Sequence, residues 1–424
     1  LHRNNLTAQL GSACPDGRLD ARRASGAKPP EDRMQTEHRL KIERRPAPGN
    51  GPAVGISPSF SLYLDLIRFL AAGVVFLDHL ASYPFSTNAP HQRPWQALIS
   101  DYGDAAVVAF FVLSGYVIAH AVGRENTAAA YARSRLSRFY SVVIPALVLT
   151  LAFDTAGQWL HPEFYQIQKV LWTPPDLQGY LSSFFFINEF QAFGFKAVVP
   201  GSNGPFWSLS FEATYYLVAG LLLFAPRKIA IVASLVVLAL AGRTITAMAP
   251  LWALGFVVYR ASHKYPWRMP GPAPLVWALT VALMLVLPPL LGPLHWNNFG
   301  IQFPYGRRPF NRDLLLDYTI AAAFTLNILA AQRWLDAGSA LLDRPERLIR
   351  YLGGVTFPLY AIHYPALCFF TAISPWNHAS APSLVFVTLS VAAVCAATTP
   401  ACDRLKSVLR NRLWAPARVA DVAA

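Results

Sequence analysis

LDLIRFLAAGVVFLDH, residues 64–79, is the stretch whose reading decides the fold. It belongs to an apolar run over 62–81, close to the roughly 20 residues that a helix needs to cross a bilayer. Yet it carries an arginine and a histidine, which are costly inside a membrane and mark function by default. Similar runs recur at 104–122, 139–156, 206–225, 229–247, 249–262, 273–293, 314–332, 354–374 and 382–401. Of the 424 residues 54% are hydrophobic and only 14% charged, against about 25% charged in soluble domains. The chain is therefore predicted to be an all-α, polytopic transmembrane bundle of about ten spans.

The net charge of +13 comes mainly from short loops and the two ends. That distribution fits topology signals and anionic headgroups, and argues against a nucleic-acid partner. Cys14, Cys368, Cys395 and Cys402 form no CxxC pair and show no metal spacing with histidine, so neither a disulfide framework nor a metal site is expected. Residues 1–56 read as a disordered basic tail, part of it expected upstream of a true start at Met34. The transmembrane domain is placed at 57–402 and a basic C-terminal tail at 403–424.

Orientation follows from the basic residues in the short connections. Arg39, Lys41, Arg44 and Arg45 precede the first span, and Arg124, Arg133, Arg135 and Arg138 follow the second. Arg227 with Lys228, Arg344 with Arg347 and Arg350, and Arg404 with Lys406 keep the alternation, so both termini are predicted to be cytoplasmic. Arg307, Arg308 and Arg312 break it, in a loop assigned to the outside. The aromatic stretch 180–195 is read as interfacial or re-entrant on the outer side, because a span there would reverse every later loop. No internal repeat is evident, so an inverted-repeat transporter is not supported.

Within the first span Arg68 and His79 are eleven residues apart, which separates them by about 20° around a helix and about 16 Å along it. They share a face without touching. A snorkelling Arg68 and an interfacial His79 are the bland alternatives. PFWSLSFEATYYL (205–217) puts Glu212 a few residues into its span, at a depth expected to match His79. A carboxylate beside a histidine makes a general-base pair; the alternative is a structural hydrogen bond between helices. FFVLSGYVI (110–118) carries Ser114 and Gly115, small residues suited to close helix packing, and Ser114 is read as a hydrogen-bonding support rather than a nucleophile. Arg133, Arg135 and Arg138 are topology signals or a phosphate clamp. GGVTFPLYAIHYPAL (353–367) sets Tyr360 and His363 in a late span, lining an acceptor path or supporting the His–Glu pair.

In this order and spacing, the motifs resemble the acyltransferase family 3 membrane proteins, which O-acylate sugars and other hydroxylated molecules in bacteria. The resemblance covers about residues 60–401. It rests on Arg68 and His79 as R-x10-H, FFVLSGYVI, RSRLSRFY (133–140), WSLSFEATYYL (207–217) and TFPLYAIHYP (356–365). The family's RxxR falls on Arg135 and Arg138, and the first glutamate of its paired glutamates on Glu212. Ala213 stands where the second glutamate is usual, Thr356 where a serine is usual, and Phe357–Pro358 replaces the commoner sequence of the late motif. The chain reads as the stand-alone form of the family, with no appended soluble domain.

The resemblance implies an acyl-CoA-dependent O-acyltransferase of the inner (plasma) membrane. Acyl-CoA would be its co-substrate, with no bound cofactor, and a cell-surface or lipid-linked carbohydrate its acceptor. His79, oriented by Glu212, would deprotonate the acceptor hydroxyl, with Arg68 as a further catalytic or donor-binding group. Arg135 and Arg138 would hold the donor, and Ser114, Trp207, Ser210, Tyr360 and His363 would support the site. The competing class is a multi-pass transporter of a small anion or protons, using the same Arg, His and Glu.

Overall fold

A computed structural model describes residues 56–82, 99, 102–167, 176–192, 197–264, 271–291, 301–305, 308–312, 314–338, 342, 345–378 and 380–413. The N-terminal tail and the end of the C-terminal tail lie outside the described residues. The helices are α1 (Pro58–Ser82), α2 (Gly103–Val122), α3 (Ala128–Leu160), α4 (Pro162–Ile167), α5 (Leu177–Phe184), α6 (Trp207–Phe224), α7 (Arg227–Ala241), α8 (Arg243–Lys264), α9 (Ala273–Leu291), α10 (Leu314–Asp336), α11 (Glu346–Ala372) and α12 (Ala381–Val408). One antiparallel hairpin, Ile301–Tyr305 with Arg308–Arg312, separates α9 from α10 and contains part of the basic loop that broke the charge alternation.

Among the described residues nine helices are long and apolar enough to cross a membrane. The tenth, α7, has 15 residues, about 22 Å of helix, and is short for a hydrocarbon core of about 30 Å. It ends where Gly242 takes φ +93°, a conformation a side chain would disfavour. The division expected near residue 248 therefore lies at Gly242 instead. Pro250 remains inside α8, as membrane helices allow. At the other end of the chain, α12 runs past residue 402 to Val408, and a π turn continues to Leu413. Residues 403–408, DRLKSV, contain no glycine or proline to stop it.

The segment expected to be interfacial or re-entrant forms no crossing helix among its described residues. α5 has eight residues, and Phe186 then turns the chain at φ +58°. Leu181, Phe185 and Ile187 of this segment are exposed, whereas Ser202 and Asn203, just before α6, are buried, so the chain is drawn into the helices on its approach to α6. Asp154 of α3 fixes it, accepting from Ser202 N at 2.7 Å and Ser202 Oγ at 2.6 Å.

Two contacts define the packing around the site. α2 and α8 cross at Gly115 and Gly255, where an added Cβ would stand 1.9 Å from Trp252 O and from Val112 O respectively. The small-residue role foreseen beside Ser114 is thus a reciprocal backbone contact. α1 lies along α11, where Arg350 Nη1 donates to Ser61 Oγ at 2.9 Å and Asp65 Oδ2 at 2.5 Å. Ser57 also donates to Asp336 at the end of α10. The start of α1, the end of α10 and the start of α11 therefore share one face of the bundle.

Candidate active site

α6 begins with a 3-10 turn, Gly204–Phe206, already inside the bundle, and its fourth-residue spacing puts Ser208, Glu212 and Tyr216 on one face. That face borders a cavity of about 780 Å³, open mouth included, between α1, α2, α3, α6 and α11. Arg68, Ser114, Arg138, Thr356, Phe357 and Tyr360 complete most of its polar and aromatic lining.

Glu212 anchors a hydroxyl network. Ser114 Oγ donates to Glu212 Oε1 at 2.7 Å and the Tyr216 hydroxyl donates to the same oxygen. Trp252 Nε1 in turn donates to Ser114 Oγ at 3.1 Å. Ser114 thus gives its proton to Glu212 and accepts one from Trp252. Ser208 Oγ and Tyr360 Oη lie 2.7 Å apart across the same cavity.

The expected His79–Glu212 pair does not form among the described residues. Glu212 shares the cavity with Arg68 and Arg138, and His79 does not line it. The reason is the buried segment before α6. Its descent into the bundle starts the helix at depth, so a position few residues into α6 is level with Arg68 rather than with His79.

His79 meets His363 instead. Nδ1 of His79 stands 2.9 Å from Nε2 of His363, with ring centroids 5.2 Å apart and planes 20° from parallel. Tyr364 closes edge-on over His79, with centroids 5.0 Å apart. Tyr360 joins this pair to the cavity, since its ring lines the cavity and its carbonyl faces His363 Nδ1 at 3.0 Å. Arg68 and His79 do share a face of α1, one opening on the cavity and the other on His363.

Arg135 and Arg138, the RxxR pair of RSRLSRFY, divide. Arg138 faces the cavity and stands 5.8 Å over the Phe357 ring. Arg135, 6% exposed, gives Nη2 to both carboxylate oxygens of Glu125 at 2.7 and 2.8 Å and stacks on Tyr131. Ser210 donates to Phe186 O at 2.6 Å and Asn188 Oδ1 at 2.9 Å, which pins the buried loop. Trp207 packs on Phe211, outside the cavity lining.

Sequence reading missed Tyr216, Ser208, Trp252 and Asn203. The first two were available as the i+4 and i−4 neighbours of Glu212 on one helix face. Asn203 had a subtler signal. Pro365 lacks the N–H that would bond the carbonyl of Ala361 four residues earlier, and Asn203 Nδ2 donates to that oxygen at 2.9 Å. The proline two residues after His363 thus opens a socket for the segment leading into α6. Among the described residues no group of three His, Cys, Asp or Glu side chains could hold a metal.

Comparison with known proteins agrees with the motif reading. The family of membrane acyltransferases described as an acyltransferase domain matches residues 61–401. A relative named acyltransferase MdmB, from Streptomyces mycarofaciens, is 27% identical over 176 residues, which are 38% of this chain and 39% of the relative. The chain therefore covers well under half of that relative's length. No solved structure matches the chain significantly.

Proposed function

Because this chain belongs to the acyltransferase domain family over residues 61–401, we propose that it moves a short acyl group from acyl-CoA to a hydroxyl of a cell-surface or lipid-linked carbohydrate. The observation that carries this reading is one cavity holding two guanidinium groups and a carboxylate, joined through Tyr360 to a histidine pair. The face that gathers the starts of α1 and α11 is taken as cytoplasmic, with both termini on it, in the inner (plasma) membrane.

Arg138, and Arg68 beyond it, attract the anionic donor; guanidinium groups suit phosphate oxygens. Arg135 is held by Glu125 and positions the start of α3. The thioester reaches past Glu212 toward Tyr360. His79 takes the acceptor's hydroxyl proton on Nε2 as that oxygen attacks the thioester carbonyl. The hydroxyl of Tyr360, one helical turn from His363, and the Ser208 hydroxyl beside it donate to the oxyanion. Collapse of the tetrahedral intermediate breaks the C–S bond, and the departing thiolate recovers the proton from His79. Glu212 keeps the Ser114 and Tyr216 hydroxyls oriented and offsets part of the positive charge of the cavity.

The test compares cells that carry the native chain, the His79→Ala variant or neither, each fed an isotope-labelled acyl precursor. Alkali-labile acyl esters on glycans and membrane lipids are measured by mass spectrometry. An ester present only with the native chain is the expected result. An unchanged ester profile across all three would sink the reading.

A further inference from the structure

We propose that His363 is a positioning residue that fixes the tautomer of His79, leaving Nε2 of His79 as the bare nitrogen of the site; this rests on the assignment of His79 as the base. The tautomer of His363 is set at its Nδ1. It lies 2.9 Å from Leu359 O and 3.0 Å from Tyr360 O, and carbonyl oxygens only accept, so Nδ1 carries a proton. His363 is 1% exposed, and among the described residues no carboxylate pairs with either ring. A charged ring there would lack a counter-ion, so His363 rests as the neutral imidazole with Nε2 bare.

That nitrogen faces Nδ1 of His79 at 2.9 Å. Two bare nitrogens would repel, so His79 supplies the hydrogen from Nδ1, and its remaining nitrogen, Nε2, is the unprotonated one. Nε2 makes no hydrogen bond to a described residue. Phe76, edge-on to His363 at 6.2 Å, and Tyr364, edge-on to His79, hold the two planes. A carboxylate commonly sets a catalytic imidazole in this way; here the backbone carbonyls of α11 do so at one remove, through a second imidazole.

The arrangement also shares the proton. When Nε2 of His79 takes a proton from the acceptor hydroxyl, the Nδ1 proton can shift along the bond to Nε2 of His363. His363 then carries both hydrogens, with its Nδ1–H still on the two carbonyls, and His79 keeps one on Nε2. The return shift precedes protonation of the leaving thiolate, so no proton is lost from the pair.

The test uses the full chain in lipid, with 15N-labelled histidine, and assays ester formation from labelled acyl-CoA in membranes. The His79 signals are identified by their loss in His79→Gln. The native protein is expected to show His79 with Nδ1 protonated and Nε2 bare, and His363→Leu to lose that signature. The turnover number of His363→Leu should fall at least tenfold with the donor KM unchanged. His363→Gln, whose amide oxygen can accept from Nδ1, should recover a substantial part. A protonated Nε2 on His79 in the native protein, native turnover in His363→Leu, or equal impairment in the Leu and Gln variants would each overturn the inference. His79→Ala is assayed alongside. If it keeps native turnover, the base assignment falls and takes this inference with it; if only His363→Leu does, the base assignment stands and the positioning role falls.

Discussion

Glu212 and Arg138 face the same cavity with opposite charge, and their replacements should act on different kinetic constants. Arg138→Gln removes a guanidinium from the path proposed for the donor. A hydrogen bond to a charged group is worth about 1.5–3 kcal/mol, so the donor KM should rise roughly 10- to 100-fold with turnover little changed. Glu212→Gln removes the negative charge and keeps the shape. The two arginines then attract an anionic donor no less strongly, while Ser114 and Tyr216 exchange a carboxylate acceptor for a weaker amide oxygen. Turnover should fall and the donor KM should not rise. Steady-state assays that vary acyl-CoA check both. The residues themselves were readable in the sequence, because ionisable groups inside apolar runs are rare. Their pairing was not. The reading placed Glu212 by counting from the start of its helix, and nothing in WSLSFEA shows that the helix begins below the surface.

At the level of single helices, spacing and glycine explain most of the architecture. Gly115 and Gly255 each sit against the backbone of the other's helix. Replacing either with valine inserts atoms where a single Cβ already clashes, and overpacking typically costs about 1–3 kcal/mol. Gly115→Val or Gly255→Val should lower the thermal midpoint of the detergent-solubilised protein, and because Ser114 adjoins Gly115, activity should fall with it. Gly73, where an added Cβ meets nothing within 4 Å, is the control site, and Gly73→Ala should leave the midpoint nearly unchanged. The α7–α8 break falls at Gly242 rather than near residue 248, because in this bundle Pro250 stays helical and Gly242 turns.

The loop between α5 and α6 has its own titration. Glu189 lies outside the membrane-crossing helices and is 3% exposed. Its Oε1 has no hydrogen-bond partner among the described residues, and burial pushes its carboxyl up to about 8. Between its ordinary value and 8 the folded protein keeps a proton that the unfolded chain has released. Stability is therefore full at low pH and falls as pH rises through that window. The thermal midpoint should drop between pH 5 and pH 8, and Glu189→Gln should flatten that drop.

Over the whole molecule the bundle keeps two chemistries apart. Arg68, Arg138 and Glu212 occupy the cavity, and His79 with His363 lies beyond Tyr360. The separation along α1 was legible as eleven residues of helix. His363 was readable as one possible support of a His79–Glu212 pair, but its direct contact with His79 was not, since nothing in a single sequence says that α1 and α11 are neighbours. In the proposed mechanism the donor enters at the arginine end and its acyl group leaves on an acceptor oxygen deprotonated by His79. The most direct test is ester formation by the purified chain in liposomes that contain membrane glycolipid acceptors, with labelled acyl-CoA as donor. Native protein and His79→Ala are compared at equal amounts of folded protein. The account predicts an alkali-labile acyl ester formed by the native chain and at least about 100-fold slower with His79→Ala, within the range that general-base catalysis supplies. Equal rates for the two proteins would contradict it.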